Sequence, residues 1–317
     1  MPLAPFHVVG IDAGGTKTVC LVADHEGTVI SEARAAGANL QAAGELEVEK
    51  VLHRVMEEAI GTRPIVPAAI CLGIAGVDRA DDGIVIRGIM RRIGANARVL
   101  VTNDALVALV AGAGSGPGVV IIAGTGSIAY GRNRQDEAAR AGGWGYVLGD
   151  EGSGYWIGRL ALRAVVRASD RRGRATALTP LVLRHFNLDR PDQLVHEVYH
   201  RNLRPPAIAA VARCVQEAHD AGDVVAAEIL LQGSRELIAC ANSVVARLAM
   251  RDEAFPFVLA GGMFRAVPWL AAELTRRLPE VAPAATVRVL DREPAYGAVL
   301  LAIGEARGEA RVPTYRP

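Results

Sequence analysis

The chain has 317 residues, of which 51% are hydrophobic and 22% charged, values that exclude a disordered or fibrous protein. Its length favours two lobes over a single core. The 35 basic and 34 acidic side chains give a net charge of +1, so we expect no nucleic-acid partner. The N-terminal segment lacks a signal-peptide pattern, and charged residues interrupt every apolar run before the roughly 20 residues that span a bilayer. We therefore expect a cytoplasmic protein with no membrane partner.

Hydrophobic spacing and turn residues predict a meander of antiparallel strands, followed by alternating helices and strands. This alternation is typical of an α/β protein with a partly parallel sheet. The predicted strands are residues 8–11, 19–22, 28–30, 68–72, 99–101, 119–122, 257–260 and 287–290. The predicted helices are residues 48–60, 80–93, 105–111, 153–169, 207–220, 223–249 and 295–306. In the helix at 80–93 we expect Ile84, Ile89 and Ile93 to face the core.

The stretch at residues 112–118 is the richest in glycine and predicts the boundary between the two lobes. On each side of it, an apolar strand runs into a glycine turn, at residues 12–16 (DAGGT) and at residues 123–127 (AGTGS). Backbone N–H groups in such turns can hold phosphate oxygens because no side chain blocks them.

One such turn alone is equally consistent with an ordinary hairpin. Two of them, each opening a lobe, predict a nucleotide phosphate site with side-chain donors at Thr16, Lys17, Thr125 and Ser127. The backbone positions of this predicted phosphate site are Gly14, Gly15, Thr16, Lys17, Gly124, Thr125 and Gly126.

Several motifs taken together resemble the sugar kinase, actin and Hsp70 ATPase superfamily. Within that superfamily they are most similar to the N-acetylglucosamine kinase branch of the BadF/BadG/BcrA/BcrD ATPase family. The motifs are residues 12–18 (DAGGTKT), 102–105 (TNDA), 123–127 (AGTGS), 142–145 (GGWG) with 148–153 (LGDEGS), and 260–262 (AGG).

The resemblance implies an α/β fold with two ribonuclease-H-like lobes and an interlobe cleft. The expected N-terminal lobe is residues 1–116, completed by a C-terminal helix at about 295–317, and the expected C-terminal lobe is residues 117–294. The implied activity is ATP-dependent phosphorylation of an amino sugar, N-acetylglucosamine to its 6-phosphate, with glucosamine as the alternative substrate. ATP and Mg²⁺ are the implied cofactors, and a homodimer is the implied assembly.

By this resemblance, Asp104 is the catalytic base that takes the proton from the attacking sugar hydroxyl. Phosphoryl transfer needs an aimed acceptor and stabilised charge, so a carboxylate suits this role. The alternative is that Asp104 caps the helix that follows it, and the two roles are compatible.

The resemblance also assigns sugar contacts, and each has a plainer alternative. Asn39 could be an ordinary loop residue, Trp144 a core aromatic, and Asp150 part of a solvated pair with Glu151 at a helix start. Several kinases of this branch carry Asn where Ile128 stands here, which weakens the assignment of N-acetylglucosamine in particular. The implied sugar-binding residues are Asn39, Asp104, Ser127, Ile128, Gly143, Trp144, Gly145 and Asp150.

Ala209, Gly261 and Gly262 are the remaining positions that the resemblance assigns to the nucleotide. Asp12 is the candidate for holding Mg²⁺ through water, since this ion takes few protein oxygens. We expect no metal site from the histidines or cysteines.

A function of a different class is the ATPase activator of a dehydratase, which holds an iron–sulfur cluster with cysteines. Residues 124–154 contain no Cys, and the four cysteines of the chain are dispersed. We therefore rank the activator below the kinase.

Overall fold

The computed structural model describes residues 5–40, 44–77 and 80–315. The chain divides into two compact units. The first unit is Met1–Gly118, Gly131–Ala138 and Leu290–Pro317, and the second is Val119–Tyr130 and Ala139–Val289. The lobe boundaries expected after residues 116 and 294 stay a prediction.

Strands and helices alternate along most of the chain, and a π-helical turn at His196–His200 follows α6. The strands are β1 (His7–Ala13), β2 (Lys17–Asp24), β3 (Val29–Ala36), β4 (Pro67–Ile74), β5 (Arg98–Thr102), β6 (Gly118–Ala123), β7 (Ser127–Arg132), β8 (Glu137–Gly142), β9 (Pro256–Ala260), β10 (Thr286–Val289) and β11 (Thr314–Tyr315). The helices are α1 (Glu45–Ile60), α2 (Ala80–Arg92), α3 (Asp104–Ala113), α4 (Gly154–Ser169), α5 (Leu178–Phe186), α6 (Gln193–Val195), α7 (Pro205–Ala210), α8 (Ala212–Asp220), α9 (Val224–Arg247), α10 (Met263–Ala266), α11 (Pro268–Val281) and α12 (Ala295–Arg307).

The two sheets share one strand order. The first sheet has the order β3-β2-β1-β4-β5, with β2 antiparallel to both neighbours and β1, β4 and β5 parallel. The other sheet has the order β10-β9-β6-β7-β8-β11. Taken from β8 to β10, its order β8-β7-β6-β9-β10 corresponds strand by strand to the order β3-β2-β1-β4-β5 of the first sheet. Strands β6, β9 and β10 are parallel, like β1, β4 and β5. The predicted α/β class is confirmed.

The core positions of α1 follow the predicted helical spacing, and its apolar stripe from Val48 to Ala59 is buried. The prediction for α2 is wrong in one respect. Ile84 is 57% exposed, whereas Ile86, Ile89 and Met90 are buried. Among the described helices, none is long and apolar enough to cross a membrane.

Asp223 caps α9 and joins it to the segment before α5. Its carboxylate accepts hydrogen bonds from the N–H of Ala226 at 2.8 Å, the N–H of Ala177 at 2.7 Å and the hydroxyl of Thr176 at 3.1 Å. Partial burial opposes ionisation, but these donors outweigh it and hold the pKa of Asp223 below its usual value.

We expect Asp223→Ala to lower the free energy of unfolding by about 1–2 kcal/mol near pH 7, because three donors lose their acceptor. Since the folded pKa lies below the unfolded one, the contribution of the ionised carboxylate is present above the unfolded pKa and is lost as pH falls through the folded pKa. Denaturant unfolding at neutral and acid pH measures both effects. If the loss of unfolding free energy in Asp223→Ala did not shrink at acid pH, the role given to the ionised carboxylate would be wrong. Asp223→Asn is the matched control, because its side chain keeps an acceptor.

Candidate active site

Asp12 and Asp104 lie at the same edge of the first sheet. Strands β1, β4 and β5 are parallel neighbours, so their carboxyl ends meet at one edge. Asp12 is the penultimate residue of β1, and Asp104 begins α3, separated from the end of β5 by Asn103 alone. Burial and then the charge of Asp104 raise the pKa of Asp12 to about 8, against an opposing effect of Lys17. The structure therefore brings together the predicted base and the predicted magnesium residue.

The helix cap at the start of α3 is Asn103. Its side-chain oxygen accepts a hydrogen bond from the N–H of Leu106 at 2.7 Å, and its backbone is extended as a cap requires. Asp104 is the first helical residue and is half-buried. The alternative that Asp104 itself caps this helix is wrong.

The first glycine turn is closed by backbone hydrogen bonds and packs against the chain that follows β3. The N–H of Gly14 donates to the carbonyl of Lys17 at 3.0 Å, and the N–H of Ala38 donates to the carbonyl of Gly14 at 3.1 Å. A Cβ at Gly37 would lie 2.4 Å from the carbonyl oxygen of Gly15, so only glycine fits this approach. Asn39 therefore follows a segment that is fixed on the turn.

The side chain of Lys17 has a partner that the sequence analysis missed. Its ammonium group donates to Glu293 at 2.6 Å, and the guanidinium of Arg34 lies 2.9 Å from the other oxygen of the same carboxylate. Partial burial opposes ionisation of Glu293, but these two cations outweigh it and lower its pKa. The signal available in the sequence was the charged run at residues 291–293, directly before α12.

In the second unit, the predicted nucleotide residues meet around the start of α4. The carbonyl of Gly124 accepts the N–H of Gly154 at 2.8 Å. A Cβ at Gly154 would lie 3.1 Å from the Cβ of Ala209, and a Cβ at Gly261 would lie 2.2 Å from the carbonyl oxygen of Ala123. Gly261 also has a φ of +108°, which favours glycine.

The second glycine turn leaves two backbone donors available. The N–H of Gly124 donates to the carbonyl of Gly126 at 2.9 Å, and the N–H of Ser127 donates to the carboxylate of Asp150. Within the described part of the chain, the N–H groups of Thr125 and Gly126 have no hydrogen-bond acceptor. The hydroxyl of Ser127 is already engaged, because it donates to the carbonyl of Glu151 at 2.8 Å. The turn can therefore offer the N–H groups of Thr125 and Gly126 to an anion.

Asp150 is buried and is not part of a solvated helix start. Only 8% of it is exposed, and a Cβ at Gly126 would lie 2.6 Å from its carboxylate oxygen. The cap of α4 is Ser153, whose hydroxyl accepts from the N–H of Trp156 at 3.2 Å. Burial raises the pKa of Asp150, although hydrogen bonds from the backbones of Ser127 and Gly145 act in the opposite direction.

Trp144 is a surface residue rather than a core aromatic, since 66% of it is exposed. The guanidinium of Arg140 lies 5.8 Å from the centre of its ring. The side chain of Ile128 contacts the same segment, because a Cβ at Gly143 would lie 2.8 Å from its Cδ1. Ile128 and the glycine-flanked Trp144 thus belong to one surface of the second unit.

The expectation that the histidines form no metal site overlooks one motif. Residues 196–200 read His-Glu-Val-Tyr-His, the H-E-x-x-H spacing of helical zinc sites. The rings of His196 and His200 stack with their centroids 5.2 Å apart. Glu197 is buried and pairs with Arg201 at 3.4 Å, and no third metal-binding side chain joins this cluster among the described residues. We assign no metal to this turn.

Both sheets have the same strand order, and in each the first strand along the chain ends in a glycine turn. This is the fold of the sugar-kinase-like ATPases. The sequence profile of the BadF/BadG/BcrA/BcrD ATPase family matches residues 9–302. The chain belongs to this family.

Two relatives match nearly the whole chain. This chain is 34% identical over 302 residues to the N-acetylmuramic acid/N-acetylglucosamine kinase of Clostridium acetobutylicum, covering 94% of this chain and 99% of that protein. It is 33% identical over 313 residues to the N-acetyl-D-glucosamine kinase of Dictyostelium discoideum, covering 94% of this chain and 98% of that protein.

Solved structures confirm the fold. A protein from Chromobacterium violaceum, proposed to be an N-acetylglucosamine kinase, superposes with a TM-score of 0.74 at 27% identity, covering 93% of this chain and 98% of that one. A ROK family glucokinase from Streptomyces griseus superposes with a TM-score of 0.57 at 19% identity, covering 95% of this chain and 99% of that one. The second similarity concerns the fold alone.

Proposed function

We propose that this protein phosphorylates N-acetylglucosamine at its 6-hydroxyl with ATP. Membership in an ATPase family and two kinase relatives at 33% and 34% identity support this proposal. The structural observation that carries it is the position of Asp104. This half-buried carboxylate stands at the carboxyl edge of the first sheet beside Asp12, while Asn103 supplies the helix cap.

In this proposal Asp104 accepts the proton of the sugar hydroxyl as that oxygen attacks the γ-phosphate. The N–H groups of Thr125 and Gly126 bind phosphate oxygens, where fixed dipoles stabilise the charge that shifts during transfer. Lys17 remains a proposed phosphate donor, and Glu293 would fix the position of its ammonium group. Ala209, Gly261 and Gly262 would lie along the adenosine.

The residues at the edge of the first sheet fit Mg²⁺. Asp12 offers only carboxylate oxygens, the donors that Mg²⁺ combines with substrate phosphates. Among the described residues, no group of three or more metal-binding side chains is found, which suits an ion held largely by the nucleotide and water. Asp12 would hold the ion through water, and Mg²⁺ would neutralise phosphate charge there.

The proposed sugar contacts of the second unit are the exposed ring of Trp144 and the side chain of Ile128. In the first unit, the amide of Asn39 stays a predicted sugar contact. Glycines on both sides of Trp144 let a ligand approach its ring closely, and sugar rings pack well on such a flat apolar face. Gly143 and Gly145 have φ values of +71° and +84°, so the segment needs glycine for its conformation as well.

ADP release tests the function when measured with N-acetylglucosamine, glucosamine, N-acetylmuramate, N-acetylmannosamine and glucose. We expect the strongest stimulation by N-acetylglucosamine and a phosphate on its 6-oxygen, identified by NMR of the product. Glucosamine is the alternative substrate. A glucosamine kinase from Vibrio cholerae is 25% identical to this chain over 58% of the length of this chain. ADP release that no sugar stimulates would overturn the proposal.

Ile128→Asn is expected to raise the preference for N-acetylglucosamine over glucosamine by about 2- to 10-fold. An added amide supplies one hydrogen bond of about 0.5–1.5 kcal/mol to the acetamido group. The ratio of the two kcat/KM values measures this preference, and Ile128→Val is the control that keeps the site apolar. An unchanged ratio in a folded variant would show that Ile128 does not face the sugar.

The activator function is disfavoured by the placement of the cysteines. An iron–sulfur cluster is held by cysteine thiolates that lie close together. The four cysteines of this chain are dispersed, and residues 124–154 contain none.

The homodimer rests on the resemblance and the cytoplasmic location on the sequence analysis, and both stay proposals. Light scattering coupled to size-exclusion chromatography tests the first, and fractionation of the source cells tests the second.

A further inference from the structure

Asp150 joins three segments of the second unit. Its carboxylate accepts hydrogen bonds from the backbones of Ser127, in the second glycine turn, and Gly145, in the Trp144 segment. The carbonyl of Asp150 accepts the N–H of Ser153, the cap of α4, at 3.1 Å. The turn, the segment and the helix start are therefore tied to one residue.

The backbone of Asp150 adopts a conformation that is uncommon for residues with a side chain. Its φ is +59°, a left-handed conformation that few residues other than glycine, Asn and Asp adopt readily. A buried carboxylate is costly unless donors surround it, and here the donors are the backbone groups of the turn and the segment. The conformation and the burial are both explained by the hydrogen bonds that the carboxylate makes.

The carboxylate of Asp150 also contacts Gly126 in the second glycine turn. A Cβ at Gly126 would lie 2.6 Å from one carboxylate oxygen, and 3.1 Å from the carboxyl carbon. The Gly126 backbone thus packs directly on the carboxyl group. Among the residues that the structure describes, the N–H groups of Thr125 and Gly126, which precede Ser127, have no hydrogen-bond acceptor, so they can serve a bound ligand.

We propose that Asp150 is a positioning residue for the second glycine turn, holding the N–H groups of Thr125 and Gly126 in place for the phosphates of ATP. This role deepens the proposed function and rests on it. It differs from the sugar contact that the resemblance implies, because it makes nucleotide affinity depend on Asp150 when no sugar is present.

The first test is the affinity of Asp150→Asn for a non-hydrolysable ATP analogue, measured by calorimetry without sugar. Asn keeps the size of the side chain and tolerates the left-handed backbone, but its NH₂ group cannot accept a hydrogen bond from a backbone N–H. We expect affinity to fall about 10-fold, as for one hydrogen bond to a charged group. An unchanged affinity would overturn the inference.

Asp136→Asn is the matched control, since Asp136 also has a positive φ, of +56°, and lies between β7 and β8. We expect its affinity for the analogue to equal that of the parent. An equal loss in both variants would refute a role specific to Asp150. Failure of the parent protein itself to bind the analogue would instead count against the proposed function.

A double-mutant cycle separates positioning from general destabilisation. In the parent, the added Cβ of Gly126→Ala would displace the Asp150 carboxylate, so we expect a loss of affinity of about 10-fold. In an Asp150→Gly background there is no carboxylate to displace, and the same change should cost less than about 2-fold. Additive losses in the two backgrounds would contradict the inference, whatever the melting temperatures of the variants.

Discussion

Replacement of Asp104 by Asn is expected to lower sugar-dependent turnover by about 100-fold or more, the scale of a positioned general base. The amide has nearly the shape of the carboxylate but cannot take the proton of the sugar hydroxyl. Because the proposed base acts on the sugar hydroxyl and not on the nucleotide, affinity for an ATP analogue should stay within about 2-fold of the parent. Steady-state kinetics and calorimetry measure the two quantities.

Asn103→Ala provides the reciprocal control. It removes the hydrogen bond to the N–H of Leu106, so we expect a loss of about 0.5–2 kcal/mol in the free energy of unfolding with turnover close to the parent. If Asp104→Asn kept near-normal turnover, Asp104 would not be the base. If Asn103→Ala lost turnover as severely as Asp104→Asn, the defect of both would trace to the start of α3 rather than to proton transfer.

Much of the fold could be predicted from the sequence because its signals are local. The apolar stripe of α1 recurs at helical spacing, and the glycine turns follow the strands that they end. The sequence did not show which side of α2 faces the core. Ile84 and Ile86 are both apolar and two residues apart, so they lie on different faces of the helix, and only packing decides that Ile86 is the buried one.

The site shows the same division between local and distant causes. The backbone donors of the second turn could be predicted, since glycine alone leaves them accessible. The side-chain partners in the site could not be predicted. Lys17, beside the first turn, pairs with a residue 276 positions away, and the carboxylate of Asp150 accepts the N–H of Ser127 from a different segment. The alternatives for Asp104, Trp144 and Asp150 stayed open in the sequence for this reason. Each of them depended on a neighbour that only the folded chain supplies.

Gly124→Val is expected to weaken binding of an ATP analogue by about 10- to 150-fold. The added side chain would stand next to the N–H of Thr125, and loss of one hydrogen bond to a charged phosphate costs about 1.5–3 kcal/mol. Gly124 is the informative position in the turn because a Cβ there meets no protein atom within 4 Å, so the protein itself can accommodate the change. Gly126 is unsuitable for this purpose, since a side chain there meets Asp150 first.

Gly88→Val on α2 is the matched control, because a Cβ there would meet only the guanidinium of Arg92, at 3.7 Å. This control should lose some helix stability, since a β-branched side chain is a modest helix former, but it should keep the affinity of the parent for the analogue. Gly124→Ala should give a loss smaller than that of Gly124→Val, because a methyl group obstructs the approach of a phosphate oxygen less than an isopropyl group does. If folded Gly124→Val bound the analogue as tightly as the parent, the second glycine turn would not lie against the phosphates, and the assignment of Thr125 and Gly126 as phosphate donors would be wrong.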